Sequence, residues 1–380
     1  MELSRRRWWD AVGGSVAPVD DLIDLAGRAI SLGVTELACR LSIDAHSFER
    51  AAKNLLAAAR LRLSEETLRK LVEQEGKLTQ RAQECEQLEL DWHASDCVTQ
   101  ETADPSPMTR VYVGCDGVQV PTITVAEKHK RREAAKERRR GLPRRRGVRR
   151  RPLPAVKHGS DQTWKEFKLV TMYDQTRAHR LVRGTRKNHR HAGKLMRQMA
   201  ATVRLRGAAE KIGLADGAEW IRRQCQQNLT LDAFTLDCFH FAEHVHQTRR
   251  EVFGDTDPSG ATWAAELLST IKHEGYEPMW EKLLKLRGQT RSRLKRQSID
   301  GLMHYAAERR EMLDYVRHEQ HGWDIGSGPT ESMCKALTRR LKGRGMRWDA
   351  DNAEAVMALE ALMQSNLWEQ WWQHRLKSAN

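Results

Sequence analysis

Val111-Tyr112-Val113-Gly114-Cys115-Asp116-Gly117 is an apolar, strand-like run that ends in a carboxylate followed by glycine. A second run has the same form, Ile212-Gly213-Leu214-Ala215-Asp216-Gly217. A carboxylate just past a buried strand points into the crevice at the strand's carboxyl end, where open α/β sheets bind ligands. A third acidic residue, Glu331, opens a strongly basic helix, Gly326-Ser327-Gly328-Pro329-Thr330-Glu331-Ser332, read as continuing to Arg344 and Met346. Two strand-end carboxylates and a third from a helix can hold a pair of divalent cations for in-line displacement at phosphorus. A lone Asp-Gly after a strand is usually a turn. Two at the ends of separate strands point to a site.

Working outward, the first strand is expected over 110–120, before Pro121. Trp164 to Tyr173 and Ala178 to Arg183 alternate at period two and read as adjacent antiparallel strands. There follow a helix over His191 to Arg206, a strand over Lys211 to Ala215, a helix from Gly217 to Gln227, a strand over Ala233 to Asp237 and a helix over 238–253. The class is α/β, with a mixed five-stranded sheet. The order βββαβαβα resembles that of the RNase H-like fold. Residues 254–322 read as an all-α insertion before the last helical part, 323–380. The catalytic core thus starts at 109 and its first part runs to 253. A polar linker over 96–108 sets it apart from an N-terminal helical domain, 1–95. In that domain Ser64 is a plausible N-cap, with Thr67 three residues on. The spacing of its helices over 33–75 suits a helix-turn-helix DNA-binding domain and equally an ordinary helical bundle.

Net charge is +14 and the pI is near 9.6, so a polyanion is the natural substrate. The run Glu127 to Arg151 holds fourteen Lys or Arg against three Glu, inside a basic insert over 127–158. Such a run resists compact folding and seeks phosphate. Its DNA-contact candidates are Arg144, Arg145, Arg146, Arg149, Arg150 and Arg151, and a solvated loop is the alternative. No apolar run long enough for a membrane span occurs, and the opening segment lacks a signal peptide's apolar region. Seven scattered cysteines without a CxxC pair fit a reducing cytosol. Cys238 and His240 are two ligands without a second pair, which does not make a zinc site. Glu219 and Glu243 read as helix-surface or supporting residues. Asp324 and Glu354 are rivals to Glu331. Trp368, Trp371 and Trp372 sit in an amphipathic C-terminal helix and read as core.

Four ordered motifs resemble those of ISKra4-type insertion-sequence transposases, over about 109–372. Ile325-Gly326-Ser327-Gly328-Pro329-Thr330-Glu331-Ser332 resembles their G-S-G-x-x-E-S. Arg340-Leu341-Lys342-Gly343-Arg344-Gly345-Met346-Arg347-Trp348 resembles R-L-K-G-x-G-M-R-W. Asp216-Gly217-Ala218-Glu219-Trp220-Ile221 and Leu236-Asp237-Cys238-Phe239-His240-Phe241-Ala242-Glu243-His244 are similar to two further segments. The resemblance implies a DDE transposase on an RNase H-like core, with Asp116, Asp216 and Glu331 as the triad. Two Mg²⁺ or Mn²⁺ ions suit these hard oxygen donors. One would activate water or a 3′-hydroxyl and the other would stabilise the leaving oxygen. Asp237 and His240 would orient the active-site helix or touch a phosphate. Arg339, Arg340, Lys342, Arg344 and Arg347 would clamp phosphates. Implied partners are double-stranded DNA, as element terminal inverted repeats and target, and a homodimer or higher assembly formed on it. A bacterial cytoplasm is the implied location, associated with the nucleoid. The alternatives are an RNase H-like structure-specific nuclease or resolvase, and a domesticated, transposase-derived DNA-binding protein.

Overall fold

The computed structural model describes residues 8–11, 14–16, 30–99, 108–140, 143, 153 and 163–377. It is a mixed α/β protein with a five-stranded mixed sheet and 14 α-helices among the described residues. Contacts divide the chain into two compact units. One comprises 1–88, 118–167 and 335–380, and the other 89–117 and 168–334. This differs from the expected boundary at the 96–108 linker.

In the first unit a short antiparallel hairpin joins β1 (Trp8–Asp10) to β2 (Gly14–Val16). Three serine-capped helices follow. They are α1 (Leu32–Asp44), α2 (Phe48–Ala59) and α3 (Glu65–Glu84), and Ser31, Ser47 and Ser64 each accept a backbone N–H of the first turn. Ser64 takes the Thr67 amide, as its sequence position suggests. The helix α13 (Ala350–Gln364) is buried from Ala353 to Leu362. The α3 helix packs along it, and Gln83 Nε2 donates to Ala358 O. Arg375 of α14 (Trp368–Lys377) pairs with buried Glu75 of α3 at 2.8 Å. The N-terminal helices are therefore part of a bundle with the C-terminal ones. Trp368, Trp371 and Trp372 are buried in it, as expected.

The basic run departs from expectation. Its first part is an exposed helix, α4 (Val125–Arg140), with no buried residue. Glu127–Arg131 and Glu133–Lys136 pairs on its own surface, and Lys128 with Asp349, offset the repulsion along it. Arg144, Arg145, Arg146, Arg149, Arg150 and Arg151 lie outside the described residues.

The sheet contains β3 (Arg110–Pro121), β4 (Trp164–Tyr173), β5 (Arg180–Thr185), β6 (Glu210–Ala215) and β7 (Ala233–Leu236), in the order β5-β4-β3-β6-β7. β4 and β5 pair antiparallel, as their alternation predicts. β6 is parallel to both β3 and β7. Between strands run α5 (His189–Thr202) and α6 (Glu219–Asn228). After β7 come α7 (Cys238–Phe253), α8 (Pro258–His273), α9 (Tyr276–Gln289), α10 (Arg293–Glu308) and α11 (Tyr315–Gln320). These bury their own apolar cluster around Phe241, Leu267, Leu283 and Leu302. The helix α12 (Gly328–Arg339) closes the series and carries Glu331 in its first turn. It ends at Arg339, earlier than the sequence suggests.

Candidate active site

Period two puts Arg110, Tyr112, Gly114 and Asp116 on one face of β3. Each meets a successive part of the segment that returns into α12. Arg110 is buried and paired with Glu210 at 2.6 Å. Its guanidinium also donates to Gly322 O (2.6 Å) and His321 O (3.0 Å). The Asp324 amide donates to the Tyr112 hydroxyl oxygen at 3.0 Å. Gly114 faces Thr330. A β-carbon there would lie 1.9 Å from Thr330 Oγ1 and 2.5 Å from Thr171 Oγ1. Those two buried hydroxyls are 3.1 Å apart and hydrogen-bonded. The missing side chain lets α12 seat on the strand. Asp116, two residues on, lies beside Cys334 and within reach of the Glu331 charge. The Cys334 thiol hydrogen-bonds the Asp116 carboxyl, and the charge of Glu331 acts on it.

The second carboxylate follows from strand register. Cys115 pairs with Ala215 across parallel β3 and β6, so Asp116 and Asp216 lie side by side. Only Asp216 follows its strand; Asp116 lies inside β3, which continues to Pro121, contrary to the strand-end expectation. Each carboxylate accepts a backbone amide that follows it. Asp116 Oδ1 takes the Gly117 amide at 2.6 Å and Asp216 Oδ1 takes the Ala218 amide at 2.9 Å. Gly217 has φ +80°, where a side chain is strained. Its carbonyl accepts from Arg309 Nε at 3.2 Å. The Arg309 guanidinium lies 4.0 Å over the Tyr305 ring, and that ring stacks on His244 at 3.7 Å. The far end of α10 thus braces the Asp216 turn. Neither Arg309 nor Tyr305 is marked by any local signal among the many cations of 254–322.

Asp237 is fully buried and caps α7, its Oδ1 accepting from Phe239 N (2.6 Å) and His240 N (3.1 Å). Its Oδ2 accepts from both the amide and the hydroxyl of Ser327. The Ser327 carbonyl in turn accepts the Glu331 amide at 3.0 Å. The carboxylate therefore ties the start of α12 to the start of α7. His240 acts differently. When protonated it favours ionised Asp116, and its ring faces Glu243 at 3.7 Å.

Burial, then the charge of Asp216 and to a lesser degree that of Glu331, push the Asp116 carboxyl up; the Gly117 amide and His240 oppose this. A half-buried cluster of hard oxygen donors with surplus negative charge has the donor chemistry a divalent cation needs. Among the described residues, no three His, Cys, Asp or Glu side chains are gathered closely enough to hold an ion as they stand. The three carboxylates are only half-buried, and both aspartates are turned to their own backbone.

Comparison with protein-family models and with curated proteins gives no match to the chain.

The site stands on its own geometry, and the remaining candidates separate cleanly. Asp324 is half-buried beside Tyr112, whose pKa is raised by burial; the Asp324 amide opposes this and its charge adds to it. Glu354 is buried within α13, in the first unit. Glu219 is exposed and faces Arg222 and Arg223, while Glu243 is exposed beside His240. Burial raises the Cys238 thiol to about 11, so it is a neutral thiol at ordinary pH. Arg340 corrects the reading of a basic clamp. It is buried, donates to Ser42 O (2.9 Å) and His46 O (3.2 Å), and lies between the rings of Phe48 and Trp348. Burial pushes its pKa down to about 10. It braces the fold, because the backbone carbonyls and rings around it replace a phosphate. Arg339 pairs with Asp44 in solvent at 2.8 Å, whereas Lys342, Arg344 and Arg347 are exposed.

Proposed function

We propose that the chain is a metal-dependent DNA strand-transfer enzyme of the DDE transposase type, built on an RNase H-like core. The observation that carries this reading is the register that sets Asp116, inside β3, beside Asp216, just past β6, with the charges of Asp216 and Glu331 adding to burial in raising the Asp116 carboxyl. Glu331 comes from the first turn of α12. The sheet order β5-β4-β3-β6-β7 is compatible with such a core. These three carboxylates would hold Mg²⁺ or Mn²⁺, which when bound supplies charge stabilisation to an in-line displacement at phosphorus. The chain's own groups do the rest. Gly114 and Asp237 fix the approach of α12, and Arg309 fixes the Asp216 turn. A protonated His240 would offset the carboxylate charge. The exposed cations of α4, with Lys342, Arg344 and Arg347, suit the phosphates of double-stranded DNA. Terminal inverted repeats and target DNA are the proposed substrates, with a homodimer or higher assembly formed on them.

The test is cleavage and joining of labelled element ends with Mg²⁺, for Asp116→Ala, Asp216→Ala and Glu331→Ala. Each is expected to abolish both reactions and to leave DNA binding intact, since carboxylates hold metal and surface cations hold phosphate. Metal-dependent cleavage that survives Glu331→Ala removes it from the ligand set. Cleavage of branched DNA without any joining of ends favours a structure-specific nuclease instead.

A further inference from the structure

At the end of β6 opposite Asp216 is a cavity of about 550 Å³, lined by Arg197, Arg204 and Arg206 over an apolar floor that includes Ala200 and Leu205. With β6 spanning Glu210–Ala215, the separation from Asp216 is roughly 20 Å, at about 3.3 Å per residue. All three arginines are exposed. Among the described residues, none of their guanidinium groups has an ion pair or hydrogen bond. Lys211 also lines the cavity, but its ammonium is held by Asp232 at 2.9 Å and the Ala208 carbonyl at 3.1 Å. That pair occupies Asp232 and leaves the three arginines uncompensated. Arg204 is in the left-handed conformation, φ 51° and ψ 50°. Non-glycine residues seldom hold it, and such strain collects at functional sites. Three like charges turned toward one concavity repel each other unless an anion lies between them. The planar guanidinium fork matches phosphate oxygens.

We infer that this cavity binds the backbone phosphates of a DNA duplex, away from the Asp116–Asp216–Glu331 site. At that distance, on the far end of the sheet, it holds a DNA segment other than the one being cut. The inference rests on the proposal that DNA is the substrate, and not on the assignment of the three carboxylates.

The experiment is a salt titration of binding to duplex DNA of arbitrary sequence, in EDTA so that cutting plays no part. The variant is Arg197→Gln/Arg204→Asn/Arg206→Gln, with Asn at 204 because it tolerates the left-handed region. The slope of log affinity against log salt is expected to fall by about 2–3, at roughly 0.9 per phosphate contact. The unfolding midpoint should not change. An unchanged slope in the folded variant overturns the inference, as does stronger competition by polyglutamate than by unlabelled DNA. Arg197→Glu alone, on the exposed surface of α5, gives an independent reading if the triple variant does not fold. It should lower the slope by at least about 0.9, and no change overturns the inference. Wild-type chain that shows no salt-dependent binding would remove the DNA reading itself. Normal wild-type binding with unaltered variants removes only this cavity's role.

Discussion

Gly114→Ala tests the seating of α12 on β3. The added methyl would lie 1.9 Å from Thr330 Oγ1, 2.5 Å from Thr171 Oγ1 and 2.8 Å from Thr330 Cβ, where ordinary contact begins at 3.4 Å. The shortfall is roughly 1.5 Å, and close-packed interiors do not absorb that without moving backbone. Both threonines are buried, so neither has solvent to turn into. Overpacking of this kind costs about 1–3 kcal/mol. The functional cost is larger than the stability cost, because Glu331 adjoins Thr330 and moves with it. A displacement of about 1 Å in a reacting geometry can cost around a hundredfold in rate. Urea unfolding and single-turnover cleavage of an element end would be measured together. Thr330→Ala added to Gly114→Ala removes the 1.9 Å contact but leaves those at 2.5 and 2.8 Å, so recovery should be partial. Gly301→Ala is the matched control. It lies in exposed α10 helix with nothing within 4 Å of an added methyl, and should gain about 0.5–1 kcal/mol. Gly114→Ala with native stability and native cleavage would refute the seating of Thr330 and, with it, the placement of Glu331.

Asp116→Asn should stabilise the chain at neutral pH in EDTA. The folded carboxyl is raised, so its contribution to stability is full below the usual carboxylate pKa and is lost as pH rises through the folded one. The gain, read as a melting shift, should vanish in acid; a gain that persists there contradicts the charge argument. His318 is buried against Thr235, and burial lowers its pKa from 6.5 to about 4. Its contribution is present above pH 6.5 and lost as pH falls through 4, to about 3 kcal/mol. A His318→Gln variant whose pH–stability curve is as steep as the wild type's would contradict this. Arg340→Met should change the unfolding midpoint and leave the salt slope of DNA binding alone, whereas Arg344→Gln with Arg347→Gln should do the reverse. The opposite pattern would return Arg340 to the DNA surface.

Local signals were readable along the chain, and long-range ones were not. Alternation marked Trp164–Tyr173 to its last residue, and the helix expected over 238–253 ends at Phe253, with Asp237 as its cap and not as the last strand residue. The two carboxylates were legible because Asp-Gly after an apolar run is a local pattern, but the pattern marked a strand end only at Asp216, since β3 continues past Asp116 to Pro121. The helix over Val125–Arg140 was hidden, since charge density argued for a loop while the spacing of Glu, Lys and Arg argued for helix. The end of α12 was misplaced because Leu341 and Lys342 both turn back to Thr338 O before either glycine is reached. Arg309 on Gly217 and Ser327 on Asp237 join residues 92 and 90 apart. Nothing near them in the chain announces either partner. Arg340 shows the same limit from the other side, since a basic residue type does not reveal which way its side chain points.

A ribosome makes β3 long before it makes the segment that lies along it. Tyr112 and Asp324, which hydrogen-bond, are 212 residues apart. At about 5–20 residues per second, that is on the order of ten to forty seconds of translation. Through that interval the basic α4 helix already exists, while Asp116 and Asp216 wait for their third carboxylate. On the proposed reading, a nascent or prematurely terminated chain binds DNA and cannot cut it. Such fragments would compete with full-length protein for the same ends, so the order of residues along the chain itself restrains the activity of its own gene product.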